Sequence, residues 1–150
     1  MTILKIGNKA PDFKVKNQDG NEVSLKDFKG KKLVLYFYPQ ANTPTCTIES
    51  CNLSDNYKQL QKAGYEVVGV SPDSEKKQAG FKSKFKLPFD LLADTEHDLV
   101  KAYDVWGEKK TFGKTYMGLK RTTFIISEKG LIEDIIEKVE AKEHTKQILK

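Results

Sequence analysis

The stretch LVLYFY at 33–38 contains no charged position, whereas the segments around it mix apolar and charged residues at regular intervals. An unbroken apolar run of strand length suits a strand buried on both faces. A second such run, YEVVGVS at 65–71, follows a segment in which Cys46, Leu53, Tyr57 and Leu60 fall on one helical stripe, at i, i+7, i+11 and i+14. The spacing predicts a helix from about Pro44 to Ala63. A strand, a helix and a strand joined by a crossover of that length predict two parallel neighbours. DFKVKNQDGNEVSL alternates about Asp19-Gly20 and reads as a hairpin; KDFKGKK reads as a short helical turn closed by Gly30. SEKKQAGFKSKF (74–85) and TEHDLVKAY (95–103) read as helices with a short FDLLA strand between them. TTFIIS and LIEDIIEKV flank EKG as an antiparallel hairpin, and KEHTKQILK closes the chain as a helix. The expected fold is α/β, with a mixed central β-sheet flanked by helices and an N-terminal β-hairpin. It is expected to be a single domain over residues 1–150, a length sufficient to bury a core without disulfide staples.

Composition narrows the function class. A chain 38% hydrophobic and 31% charged is neither disordered nor fibrous. MTILKIGNKAPDFKV has no basic segment followed by an apolar stretch, and no run approaches spanning length, so no membrane association is expected and residence is expected to be cytoplasmic. The net charge of +5 comes from lysines scattered among Glu and Asp, without the interleaved aromatics of a strand-binding surface. No nucleic-acid partner is expected. Arg121 is the single arginine among 26 basic residues.

Both cysteines lie in PQANTPTCTIESC (39–51), directly after the first apolar run. Two thiols in a reducing compartment point to redox chemistry rather than a staple. A closed zinc site needs about four ligands at short paired spacings, and His97 and His144 stand on separate segments, where both are expected to be surface residues. Thr43 followed by Pro44 is a helix start, with a hydroxyl able to cap the first amides and proline at the first helical position. Cys46 then falls third in the helix, where free amides and the helix dipole favour thiolate over thiol. That position suits a nucleophile; a buried small hydrophobe is the alternative. Cys51 lies five residues on, about 140° around the helix, which separates the two Cα atoms by roughly 8–9 Å. A disulfide tolerates about 7 Å, so the thiols can bond only if the helix unwinds. Pro39 ends the strand and shapes the loop, and for Pro39 and Pro44 plain turn and cap chemistry remains open. Glu49, one turn beyond Cys46, would oppose a thiolate unless a cation intervenes. Arg121, at the head of TTFIIS, is a candidate for that cation: its rigid fork can hold two acceptors. Drift in a Lys-biased composition is the other reading of that residue.

Pro39-x-x-x-Thr43-x-x-Cys46 resembles the active-site motif of the peroxiredoxin family, and YFYPQANTPTCTIESC resembles its bacterioferritin-comigratory-protein or PrxQ class. The likeness extends to APDF, VVGVSPDS, LPFDLLAD and VWGEKKTFGKTYMGLKRTTFII. The resemblance implies a thioredoxin-like fold and thiol-dependent reduction of hydrogen peroxide and organic hydroperoxides, with no metal or organic cofactor. It implies Cys46 as the peroxidatic cysteine, Thr43 as a ligand to the peroxide, Pro39 as a shield of the pocket and Arg121 as the activating arginine. Cys51 would be the resolving cysteine, forming an intramolecular disulfide recycled by thioredoxin or a related dithiol reductant, and Glu49 would orient Arg121. A monomer is expected, with a weak dimer as the alternative. Thr45 stands where many relatives carry Gly, which removes backbone freedom beside the nucleophile. Two other functions remain open. A disulfide oxidoreductase normally uses the closer C-x-x-C spacing, and a non-catalytic thiol sensor would stop after about one turnover.

Overall fold

In the computed structural model, which describes residues 4–111 and 113–149, the run at 33–38 forms the centre of the molecule. β3 (Lys32–Phe37) pairs in parallel with β4 (Tyr65–Ser71) on one edge and antiparallel with β8 (Thr122–Ile126) on the other. β5 (Asp90–Ala93) extends the sheet beyond β4, and β9 (Ile132–Ile136) extends it beyond β8, giving the order β5-β4-β3-β8-β9. The N-terminal hairpin of β1 (Lys14–Lys16) and β2 (Glu22–Ser24) forms a separate antiparallel pair.

Successive strand residues point to opposite faces, and β3 supplies both cores of the protein. Leu33, Leu35 and Phe37 join Val68, Val70, Phe124 and Ile126 on one face, under the N-terminal segment and α4 (Asp98–Ala102). Val34, Tyr36 and Tyr38 join Val67 and Ile125 on the other, against α1 (Pro44–Asp55), α2 (Tyr57–Lys62), α3 (Glu75–Phe85) and α5 (His144–Leu149). All six side chains from Leu33 to Tyr38 are fully buried, and burial of each large apolar side chain contributes about 1.5–3 kcal/mol. Gly69 opposite Tyr36 makes this packing possible: a Cβ there would lie 2.9 Å from the Tyr36 ring and 2.9 Å from Leu91. The ring thus reaches across β4, and the Tyr36 hydroxyl shares a 2.8 Å hydrogen bond with Ser50 of α1.

The structure departs from the sequence expectation in four places. The helix expected over 44–63 is broken at Asn56, whose backbone leaves helical geometry while its side-chain amide donates to the Asn52 carbonyl. An Asn side chain competes in this way for backbone partners. The helix expected over 95–103 begins only at Asp98, because the Asp94 carboxylate accepts the amides of Leu99 and Val100 and His97 takes a left-handed conformation. Two further strands, β6 (Trp106–Thr111) and β7 (Lys114–Leu119), form an antiparallel hairpin in a stretch to which the sequence reading assigns no element. β6 places Glu108, Lys109 and Lys110 in a row and β7 places Tyr116 beside Met117, so neither strand shows apolar alternation. His144, expected at the surface, is fully buried, and His97 is half-buried against Trp106. Among the described residues, no helix is long and apolar enough to cross a membrane.

Candidate active site

The site lies at the end of β3 from which the chain enters α1. Tyr38 continues the strand by donating its amide to Val70, and the loop 39–43 then turns into the helix. The loop is tied to the end of β4: the Ala41 amide donates to Asp73 at 2.6 Å, and Asp73 also accepts from Ser71. Asn42 has φ 63, a conformation that asparagine tolerates better than most residues. Thr43 is the N-cap residue and Pro44 opens the helix, but the Thr43 hydroxyl does not cap it. It donates instead to the Gln40 carbonyl at 2.8 Å, which leaves its oxygen lone pairs as acceptors. Pro39 is half-buried at the start of the loop.

Cys46 is the third residue of α1 and fully buried; Cys51 is partly exposed on the same helix, and both are free thiols. Burial and the nearby Asp55 carboxylate push the Cys51 thiol up from its ordinary value, so it holds its proton at neutral pH.

Strand register brings Arg121 to Cys46. Thr122 pairs with Phe37, the last residue of β3, so Arg121 projects beside the loop that leads into α1. Its Nη2 donates to Cys46 Sγ at 3.0 Å and its Nη1 donates to Glu49 Oε1 at 2.7 Å. One fork thus spans both acceptors on successive helical turns. Burial by itself would lower the arginine, but the charges of Glu49 and Cys46 outweigh it and hold the guanidinium above its usual range. The structure therefore groups Cys46, Glu49 and Arg121 in direct contact, with Thr43 three residues ahead of the thiol and Cys51 further along the helix.

One residue of this cluster escaped the sequence reading. His144 Nε2 lies 3.5 Å from Glu49 Oε2 and 2.8 Å from Thr123 Oγ1, with both the imidazole and the carboxylate fully buried. Burial pushes the imidazole below its ordinary value. The available signal was its place four residues before the buried Ile148, on the inner face of the closing helix.

Glu49 is pushed up from 4.5 to about 7, because burial outweighs the charge and hydrogen bond of Arg121. Between those values the folded protein binds more protons at this site than the unfolded chain. The contribution of Glu49 to stability is therefore fully present below about 4.5 and is lost as pH rises through about 7. The span corresponds to on the order of 3 kcal/mol. His144 acts in the opposite sense: its lowered value adds stability as pH rises towards 6.5. Glu49→Gln is expected to remove only the first effect. In urea unfolding at a series of pH values, the variant should gain stability relative to the parent protein as pH rises from about 5 to about 8. A difference independent of pH would show that Glu49 is ionised throughout.

The hollow of about 300 Å³ that includes Leu33, Ile126, Lys9 and Lys29 lies at the opposite end of β3 from Cys46 and holds neither thiol.

Comparison with known proteins gives a consistent picture. The AhpC/TSA family matches residues 6–135. The chain is 47% identical over 146 residues to Peroxiredoxin Bcp of Bacillus subtilis, covering 97% of this chain and 93% of that protein. It is 42% identical over 149 residues to Peroxiredoxin Bcp of Escherichia coli, covering 99% and 96%. Among solved structures it is similar to Xanthomonas campestris Peroxiredoxin Q, at TM-score 0.88 and 32% identity over 99% of this chain and 94% of that one. A Cys-to-Ser mutant of Xylella fastidiosa PrxQ superposes at TM-score 0.90 with 29% identity, covering 97% and 93%. These neighbours share the thioredoxin-like fold.

Proposed function

The chain belongs to the AhpC/TSA family as a peroxiredoxin of the Bcp/PrxQ class, a thiol-dependent peroxidase, and from that premise we propose that Cys46 attacks the peroxide and Cys51 resolves the product. The observation that carries this reading is the 3.0 Å contact from Arg121 to Cys46 Sγ at a helix start. A guanidinium and free amides together favour the thiolate. The thiolate attacks one oxygen of R–O–O–H, the O–O bond breaks, and R–O⁻ leaves and takes up a proton. Arg121, the Cys46 amide and the Thr43 hydroxyl stabilise the charge that moves along the O–O axis; Thr43 would then exchange its bond to Gln40 for one to the peroxide. Pro39 shields the pocket, and Glu49 orients Arg121.

Cys46 is left as a sulfenic acid, which the Cys51 thiol condenses to a disulfide with release of water. A dithiol protein such as thioredoxin then supplies two electrons and two protons. The protonated state of Cys51 in the reduced protein suits this order of events, since the nearby Arg121 favours the first attack by Cys46. The enzyme acts as a cytoplasmic monomer.

The test is NADPH oxidation coupled through thioredoxin and its reductase, with hydrogen peroxide and an alkyl hydroperoxide as substrates. Many turnovers per chain are expected; arrest after one turnover would identify a sensor. In the same assay Arg121→Lys keeps the charge but loses the second prong, which costs about 1.5–3 kcal/mol in a charged hydrogen bond. The first oxidation, followed by stopped flow, should slow by about tenfold to a hundredfold with the fold intact. Oxidation at the parent rate would remove Arg121 from the mechanism.

A further inference from the structure

The site contains one buried carboxylate too many for its cation. Arg121 is the only cationic side chain in contact with both Cys46 and Glu49 among the described residues. Glu49 Oε1 is satisfied by Arg121, but Oε2 is buried without a hydrogen-bond partner among the described residues. With Cys46 as thiolate and Glu49 as carboxylate, the cluster would hold two anions against one guanidinium, in a place closed to water except at Arg121. An uncompensated buried charge is strongly unfavourable.

His144 is positioned to remove that excess. Gln147 donates its Nε2 to the Lys138 carbonyl, and its Oε1 accepts the Glu140 amide, which fixes the side-chain amide. Oε1 can only accept, so the His144 Nδ1 facing it at 2.8 Å carries a hydrogen. In the neutral ring Nε2 is then a lone pair, which accepts from the Thr123 hydroxyl at 2.8 Å and lies 3.5 Å from Glu49 Oε2. A single proton placed on Oε2 or on Nε2 leaves the two groups together with no net charge.

We propose that His144 is a positioning residue of the peroxide-reducing site, sharing one proton with the buried Oε2 of Glu49 so that the pair is neutral and the charge of Arg121 is left to the Cys46 thiolate. Burial, which disfavours the charged form of each group, raises Glu49 to about 7 and lowers His144, and so favours the pair in its neutral state. The other titratable groups facing the pair are Cys46 on the same helix, Arg121 ahead of β8, and Tyr36 on β3, which burial keeps neutral. Lys142 and Glu143, in the turn before α5 that packs on α1, are exposed. The role of His144 is thus electrostatic and acts through Glu49; it does not touch the peroxide.

This inference rests on Cys46 being the attacking thiolate, and its test reads the thiolate directly rather than turnover. In a Cys51→Ser background, the ultraviolet absorbance of the Cys46 thiolate is followed against pH. His144→Phe should move the titration about one unit to higher pH, lowering the thiolate fraction about tenfold below the midpoint. Single-turnover oxidation at neutral pH should slow by the same factor. Glu49→Gln cannot carry the competing charge, so adding it to His144→Phe should return the titration to that of Glu49→Gln alone. A shift of equal size with Gln at position 49 would show that His144 acts through packing, and an unchanged titration in His144→Phe would show that it does not act at all; either overturns the proposal. His144→Gln fills the space and retains hydrogen bonding without taking up a proton, and serves if the Phe variant does not fold. It should shift in the same direction, and identity with the parent protein overturns the proposal. A normal titration without peroxide consumption would instead overturn the peroxidase reading of this chain.

Discussion

Cys46→Ser is expected to lose peroxide reduction by about a thousandfold or more while keeping the fold. A serine hydroxyl has almost no anionic fraction at neutral pH, so contact with Arg121 and the helix start cannot make it a nucleophile towards an O–O bond. The structural cost should be about 1 kcal/mol, because the hydroxyl replaces sulfur in a buried place where Arg121 offers it a hydrogen bond. Steady-state peroxide consumption gives the first quantity and urea unfolding the second. Cys51→Ser should behave differently, completing one oxidation of Cys46 and then failing to recycle. An active Cys46→Ser protein together with a Cys51→Ser protein that cannot react even once would reverse the two roles.

The second large effect is conformational. α1 runs unbroken from Pro44 to Asp55 through both thiols, and ideal helix geometry leaves their Cα atoms roughly 8–9 Å apart, beyond the reach of a disulfide at about 7 Å. One equivalent of peroxide should therefore give a disulfide within the chain and unwind α1 around Cys51. The neighbouring Asn52 sets the resistance to this opening. Its side chain donates to the Lys142 carbonyl and accepts from the Thr145 amide and hydroxyl, each at 2.8 Å, which fastens α1 to the closing helix. At about 1 kcal/mol net for each bond, opening costs a few kcal/mol. Oxidation should lower the helical far-UV signal and the amide protection of α5 together, with a Cys46–Cys51 bond identified by mass spectrometry. A disulfide between chains, or an internal one with undiminished helix content, would refute the unwinding.

The local chemistry of the chain was legible because it depends on near neighbours in sequence. An apolar run of six residues suits a central strand buried on both faces, and Pro44 suits the first position of a helix, where its missing amide costs nothing. The position of Cys46 at that start, and the separation of Cys51 from it, follow from helix geometry alone. The hairpin at Asp19-Gly20 and the parallel pairing of β3 with β4 are legible for the same reason, since turn chemistry and crossover length leave few alternatives.

Tertiary structure decided what surrounds the thiol. Whether Arg121 meets Cys46 depends on the pairing of Phe37 with Thr122, and a slip of one residue would send each side chain of β8 to the opposite face. His144 reads as an ordinary polar residue in a Lys-rich tail, and only the docking of α5 onto α1 through Asn52 buries it beside Glu49. The hairpin of β6 and β7 is held by backbone pairing between strands without apolar alternation, for which periodicity offers no sign. Sequence fixes a nucleophile through short-range backbone geometry, whereas its charge balance depends on groups that strand register and helix docking bring together across long stretches of chain.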